Sequence, residues 1–306
     1  MSLYSMLKSA GPSGFGYGST AEQVTAGLEL SGRTYLLTGS NSGLGLETLR
    51  VLGLRGAHVV AVARTVEKAT AALTEAGSAG TPVACDLAEP ASVRACVAAV
   101  NALGRPLDAV ICNAGIMALP NLQRQHGFEL QFFTNHIGHF ILVNGLLDLL
   151  TPQGRVVMVS SGAHRAAPKT GIEFDNLEGQ RSYHSWQAYG QAKLANLLFA
   201  KELSRRFEGS GRTANALHPG VIATNLFRHM NPVLRVLFGL AKPIMLKTPA
   251  QGAATTCYLA AHPDAAAITG QYFADCNAAR PSKLAQDAAL ARQLWTTSET
   301  IVAGLA

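Results

Sequence analysis

After residue 32 the chain alternates between two hydrophobic patterns. Short apolar runs end in small or polar residues: TYLLTG, HVVAVAR, TPVACDL, LDAVICNAG, RVVMVSS and TANALHPG. They are apolar at nearly every position rather than at every second one, which is the pattern of strands buried on both faces. Between them lie stretches of helical periodicity: Leu44–Arg55, Val66–Ala76, Pro90–Leu103, Phe128–Leu149 and Tyr189–Phe207. GQYFADC adds a last short strand, and SKLAQDAALARQLWTTSETIV a C-terminal helix. Strand–helix alternation of this kind predicts an α/β fold, a single doubly wound domain whose parallel sheet has about seven strands and helices on both faces.

Residues 1–31 stand outside this rhythm and read as an N-terminal extension, leaving 32–306 as the domain. GPSGFGYGST is a Gly/Ser loop, and STAEQVTAGLEL reads as a capped helix starting at Ser19 or Thr20, with Glu22 and Gln23 near its first turn. The loop's Gly14, Gly16 and Gly18 imitate a phosphate-binding fingerprint, but no apolar strand precedes them.

The first run after residue 32 ends differently, in TGSNSGLG, with a helix directly behind it. Gly39, Gly43 and Gly45 let the backbone turn sharply and approach a pyrophosphate, and the helix start offers free N–H groups and a positive dipole end. A Tyr four residues before a Lys occurs twice, in YSMLK (Tyr4, Lys8) and YGQAK (Tyr189, Lys193). Only the second follows the strands, on a helix that starts at their carboxyl edge. A free phenol has a pKa near 10. A Lys one helical turn on shares its face and favours the phenolate, so the pair can act as an acid/base.

Composition narrows the readings. The chain has 306 residues, 48% hydrophobic and 14% charged, with net charge +6. Without a run of basic residues or basic–aromatic interleaving, a nucleic-acid partner is not expected, and a phosphate-bearing cofactor accounts for the surplus. The Cys at 85, 96, 112, 257 and 276 show no C-x-x-C spacing and read as buried, reduced thiols. Nothing pairs His and Cys at ligand spacing, so no metal is expected. The longest apolar run, Phe140–Leu150, is broken by Asn144 and Asp148 and is too short to span a bilayer. The N-terminus lacks a basic-then-apolar signal pattern, so an intracellular, cytoplasmic protein is expected.

The spacing T-G-x-x-x-G-x-G resembles the short-chain dehydrogenase/reductase family, which has a Rossmann-type fold. Further landmarks follow in order: CDL at Cys85–Leu87, NAG at Asn113–Gly115, Asn135 in TNHIGHF, Ser160 and Ser161, Tyr189 with Lys193, and HPGVIAT at His218–Thr224. The wording NHIGHF, SGAH, AYGQAKLANLLFAKEL, QYFADC and LWTTSE is similar to the retinol-dehydrogenase and WW-domain-oxidoreductase branch. The opening GPSGFGYGSTAEQVT resembles a plant group that includes an inner-envelope translocon component. Light-dependent protochlorophyllide reductases share part of the wording.

The resemblance implies hydride transfer between a nicotinamide and a carbonyl or alcohol carbon. It implies Tyr189 as acid/base, Lys193 on the nicotinamide ribose, Ser161 (rather than Ser160) on the substrate oxygen, and Asn135 holding a water that leads from Lys193. The cofactor residues it implies are Gly39, Ser42, Gly43, Leu44, Gly45, Arg64, Asp86, Leu87, Asn113, Ala114, Gly115, Tyr189, Lys193, Pro219, Gly220, Val221 and Thr224. NAD users place an acid where this chain has Ala63 and then Arg64, so NADP(H) is favoured over NAD(H). Tyr183 lacks a following Lys, so packing or substrate contact is preferred for it; His136 and His139 lack an acid partner at evident spacing, so core or partner-helix roles are preferred for both.

Residues 221–247 form the expected substrate lid, and their Leu, Phe, Val and Met content implies a hydrophobic substrate. The interspersed Arg228, Arg235, Lys242 and Lys247 also fit a membrane-surface contact, although a lid packed on its own domain is preferred. Family members often pair through the helices carrying Asn135 and Tyr189, so the resemblance admits a homodimer. The alternative to an enzyme is an interaction protein on the same fold that senses the NADP redox state; the intact Ser161, Tyr189, Lys193 and Asn135 set favours chemistry.

Overall fold

A computed structural model describes residues 9–222 and 246–305. Each predicted strand is present: β1 (Thr34–Thr38), β2 (His58–Ala63), β3 (Gly80–Ala84), β4 (Leu107–Cys112), β7 (Leu150–Val159), β8 (Thr213–His218) and β9 (Tyr272–Ala274). These run parallel in the order β9-β8-β7-β4-β1-β2-β3. An eighth, β10 (Asn277–Ala278), pairs antiparallel with β9 at the edge, and a small hairpin of β5 (Arg124–Gln125) and β6 (Phe128–Glu129) lies apart. The strand order reverses between β1 and β4, so a crevice opens there at the carboxyl ends.

The continuous apolar runs are explained by two cores, one on each face of the sheet. Leu36, Val60, Val62, Val110, Val156 and Met158 point into the first. Their chain neighbours Leu37, Val59, Ala61, Ile111, Val157 and Val159 point into the second. The first core is closed by α4 (Pro90–Ala102), α5 (residues 130–146) and α6 (Ser185–Arg206), and the second by α1 (Ala21–Val24), α2 (Gly43–Leu54), α3 (Val66–Ala76) and α8 (Ala254–Ala261). The short α7 (Pro249–Gly252) and α8 carry no equivalent in the sequence reading.

Three helices differ from expectation. α5 begins at Leu130, because Glu129 caps it by accepting from Phe132 N (2.8 Å). It then runs as Leu130–Phe132, a π turn at Phe133–Ile137, and Gly138–Leu146, before a final 3₁₀ turn at Leu147–Leu149. α6 starts a turn before Tyr189, at Ser185. The C-terminal helix, α9, covers Ala288–Ala303 rather than starting near Ser282, because the Asp287 carboxylate accepts from Ala289 N and Leu290 N.

α9 lies across the first face as an extra layer. Trp295 stacks on Phe199 of α6 (5.5 Å) and meets Phe140 of α5 edge-on (5.0 Å), while the Arg206 guanidinium lies 3.9 Å from its ring centre. Ser298 Oγ is 2.8 Å from His136 Nε2, and Arg94 of α4 donates to Leu305 O (2.6 Å). The outer side of α5 and α6 is therefore covered by the chain's own C-terminal helix.

The N-terminal segment straps the opposite edge. The Asn277 side chain accepts from Ser13 N (3.0 Å) and donates to Phe15 O (2.9 Å). Phe15 meets Tyr258 and His262 edge-on. Thr20 and Gln23 form the expected capping box, but on a helix of only four residues. The segment with Gly14 and Gly16 thus belongs to an edge contact, while Gly18 O accepts from Gln251 Nε2 (3.3 Å).

Trp295→Ala removes a buried ring that joins two helices, and is expected to lower unfolding free energy by about 3–5 kcal/mol. A urea midpoint equal to the parent's would contradict this packing.

Candidate active site

The glycine turn is built around one close approach. Gly39 and Gly43 have φ of 68° and 54°, in the left-handed region. A Cβ on Gly45 would lie 1.9 Å from Gly39 O and 2.7 Å from Asn113 Nδ2, so no side chain fits there. Asn113 Nδ2 donates to Thr38 O (2.9 Å), and Thr38 Oγ1 accepts from Asn113 N and Ala114 N (both 3.0 Å). Ser42 is the N-cap of α2 with no side-chain cap bond, and Leu44 packs toward Gly252 of α7. The start of α2 and the NAG loop thus face one crevice, and their shape fits a pyrophosphate.

Around that crevice stand the acid/base candidates. β7 ends at Val159, and the next two serines diverge as adjacent strand residues do. Ser160 is buried and donates to Lys193 O (2.7 Å). Ser161 turns the other way, toward the Tyr189 phenol, and its hydroxyl accepts from Ala163 N (3.1 Å). Tyr189 and Lys193 lie a turn apart on α6, and Lys193 Nζ is 5.7 Å from the phenol ring centre and donates to Val159 O (3.0 Å). A Cβ on Gly115 would lie 3.4 Å from Lys193 Nζ, which ties the NAG loop to the same place.

Asn135 sits beside them, with its side-chain amide turned to the NAG loop. Its Oδ1 accepts from Ile116 N (2.8 Å) and its Nδ2 donates to Ile116 O (2.9 Å), so both amide groups clamp the NAG loop. The π turn presents Asn135 to that loop, since the extra residue shifts the side chain off the regular helical face.

Burial, rather than the neighbouring ammonium, dominates the electrostatics. It raises the Tyr189 phenol to about 12, with the Ser161 hydrogen bond pulling the other way. It lowers the Lys193 ammonium to about 8, opposed by Cys112. Both groups have lost water, and each is pushed toward its neutral form.

The other expected cofactor residues are spread along the strand ends. Arg64 is exposed after β2, beside Thr65, which caps α3. The half-buried Asp86 accepts from Ala88 N (3.0 Å), and Leu87 is buried against Gly138 of α5. After β8, Pro219 is buried, Gly220 (φ 96°) lies against the Lys247 side chain, and Val221 is 54% exposed. Thr224, the Tyr4–Lys8 pair and residues 223–245 of the expected lid lie outside the described residues. Lys247 is buried, pairs with Asp275 (2.6 Å) and lies over the Tyr17 ring, so it is no membrane-facing charge.

A family model described as short chain dehydrogenase matches residues 33–234. The chain belongs to the short-chain dehydrogenase family.

Within that family this dehydrogenase stands in the retinol-dehydrogenase and WW-domain-oxidoreductase-like branch, and it is an oxidoreductase. It is 43% identical to short-chain dehydrogenase TIC 32 A, chloroplastic, of Brassica napus, with 100% of both chains covered. It is 40% identical to retinol dehydrogenase 14 of Mus musculus, over 89% of this chain and 86% of that one. The solved structure of the angucycline C-6 ketoreductase LanV with bound NADP is 25% identical, with TM-score 0.64, covering 80% of this chain and 94% of that one. No helix among the described residues is long and apolar enough to cross a membrane.

Several site residues of this dehydrogenase are invisible as such in the sequence. Thr38 and Ser160 act through hydroxyls on loop and helix backbone. Trp186 is 52% exposed and meets Tyr189 edge-on at 6.2 Å; only its place one turn before Tyr189 could have marked it. Tyr183 has a packing role, donating to Leu119 O (2.7 Å). His136 and His139 are core residues, and burial lowers them to about 3 and about 4.

Those two histidines set an acid limit. Unfolded they take up protons below about pH 6.5, whereas folded they stay neutral down to about 4 and about 3. The unfolded state then binds more protons, so stability is fully present above that pH and falls as pH drops. We expect a loss of about 3 kcal/mol from pH 6.5 to pH 5, above the range where most carboxylates titrate. Urea unfolding free energies that are flat across this interval would contradict it.

Proposed function

We propose that this chain is an NADP(H)-dependent oxidoreductase acting on a carbonyl or alcohol carbon of a hydrophobic substrate, with Tyr189 as general acid/base. The observation that carries the reading is the meeting of Ser161, Tyr189 and Lys193 with the glycine turn at one end of the sheet.

Gly39, Ser42, Gly43, Leu44 and Gly45 would hold the pyrophosphate, Asp86, Leu87 and the NAG loop the adenosine side, and Lys193 the nicotinamide ribose. Pro219, Gly220, Val221 and Thr224 would border the nicotinamide. Bound there, the nicotinamide supplies or accepts the hydride. The protein's own part is proton management. At neutral pH a phenol near 12 is protonated, so Tyr189 is set to donate to a developing alkoxide, and Ser161 steadies both the phenol and the substrate oxygen. Lys193 keeps positive charge beside the phenol, which favours the phenolate left after donation. Running backward, the same groups withdraw a proton from an alcohol.

Two features support the finer choices. Arg64 is exposed at the carboxyl end of β2, and an Arg fork suits a ribose phosphate better than a hydroxyl. Trp186 and Val221 are large exposed apolar residues near this edge, which suits an apolar or aromatic substrate.

A screen of bulky apolar ketones and aldehydes, following NADPH absorbance, tests the reading. Tyr189→Phe is expected to cut turnover by roughly 10²–10⁴-fold while leaving NADPH binding intact; unchanged turnover would reject the proton role. Arg64→Ala is expected to weaken NADPH roughly 10- to 100-fold and NADH hardly at all. Equal losses for both dinucleotides, measured by fluorescence titration, would remove the argument for NADP.

A further inference from the structure

The proton-transfer account makes no use of a buried imidazole that touches two walls of the crevice. We propose that His139 is a positioning residue, holding the NAG-loop clamp at Asn135 in register with the glycine turn through two oppositely directed hydrogen bonds. The inference rests on the NADP(H) reading above.

His139 is fully buried, one turn after Asn135 on α5. Its Nδ1 is 2.9 Å from the Asn135 main-chain oxygen, and its Nε2 is 3.0 Å from Thr38 Oγ1. The directions follow from the partners. A carbonyl oxygen only accepts, so Nδ1 carries the proton. Burial keeps the ring neutral at neutral pH, so Nε2 is then a bare acceptor. Thr38 Oγ1 already accepts from Asn113 N and Ala114 N, which leaves its own proton to donate. Its other acceptor, Ile111 O, is 3.4 Å away, so the shorter bond to Nε2 takes that proton.

The result is one ordered chain: Asn113 and Ala114 N–H to Thr38, Thr38 O–H to His139, His139 N–H to Asn135. It joins the ends of β1 and β4 to the π turn of α5. Asn135 in turn grips Ile116 at both backbone groups, next to Gly115 and so to Lys193. The two walls are already close, since a Cβ on Gly39 would lie 3.0 Å from Ala114 Cα. The imidazole therefore fixes the width of the crevice, and its two nitrogens do different work. Phe fills the volume with neither bond, Asn can place a donor near Nδ1, and Gln can reach toward Nε2.

The experiment is a double-mutant cycle on the full chain, read by NADPH fluorescence and by urea unfolding. His139→Phe should weaken NADPH binding roughly 10-fold, the effect of orphaning a buried polar partner. His139→Asn and His139→Gln should each recover part of it. Thr38→Val should cost at least as much as His139→Phe, and Thr38→Val/His139→Phe less than the product of the two. A His139→Phe protein that is less stable but binds NADPH within about twofold of the parent (well inside one hydrogen bond's worth) would overturn the proposal, as would multiplicative losses. Long-range proton–nitrogen spectra of histidine-labelled protein should show Nδ1 protonated and Nε2 bare at neutral pH; the reverse tautomer would also overturn it. If the parent protein binds no NADPH, the cofactor reading fails, and the tautomer with the Thr38–His139 coupling in unfolding free energy still decides this one.

Discussion

The parallel sheet is buried on both faces, and this forces polar chemistry to its carboxyl edge. Apolar side chains on each face close two cores at once, so the strand interiors have no room for groups that need water. Polar residues gather where the strands stop, and the strand order reverses between β1 and β4, which opens the edge. The glycine turn, the NAG loop, Ser161 and the HPG loop all leave the sheet at that edge. Gly45 completes the constraint, because any side chain there would collide with the Gly39 carbonyl.

The same burial shapes the electrostatics. Tyr189 and Lys193 are drawn into low-dielectric surroundings, which pushes each toward its neutral form. Charge then has to be held by specific partners, namely Ser161 at the phenol and the Val159 carbonyl at the ammonium. Buried hydroxyls and imidazoles around the site spend their hydrogen bonds on backbone, as Ser160 does on Lys193 and Thr38 on the NAG loop. A site of this kind is held rigid by its polar groups, and each has few alternatives once water is gone.

The outer layers isolate this framework. α9 seals the α5–α6 face with the Trp295 cluster, and the N-terminal strap seals the other edge through Asn277 and Phe15. Both segments lie far in sequence from what they cover. Their role could be read only after the chain had closed on itself.

The sequence by itself determined the strands, their parallel alternation and the chemistry-bearing landmarks. Continuous apolar runs, missing side chains and the Tyr189–Lys193 spacing are local properties, and local properties survive in one dimension. It also placed Tyr189, and not Tyr4, after the strands. That Ser160 and Ser161 diverge was legible as well, because neighbouring strand residues point to opposite faces. The tertiary structure alone decided what depends on distant partners. The Asn135 amide is spent on Ile116, and a π turn that periodicity does not encode presents it there. Burial raises the Tyr189 phenol, because desolvation depends on everything packed around a group and not on its spacing. His139 looked like an ordinary core residue, and its bonds to Thr38 and Asn135 exist only where the ends of β1 and β4 meet α5.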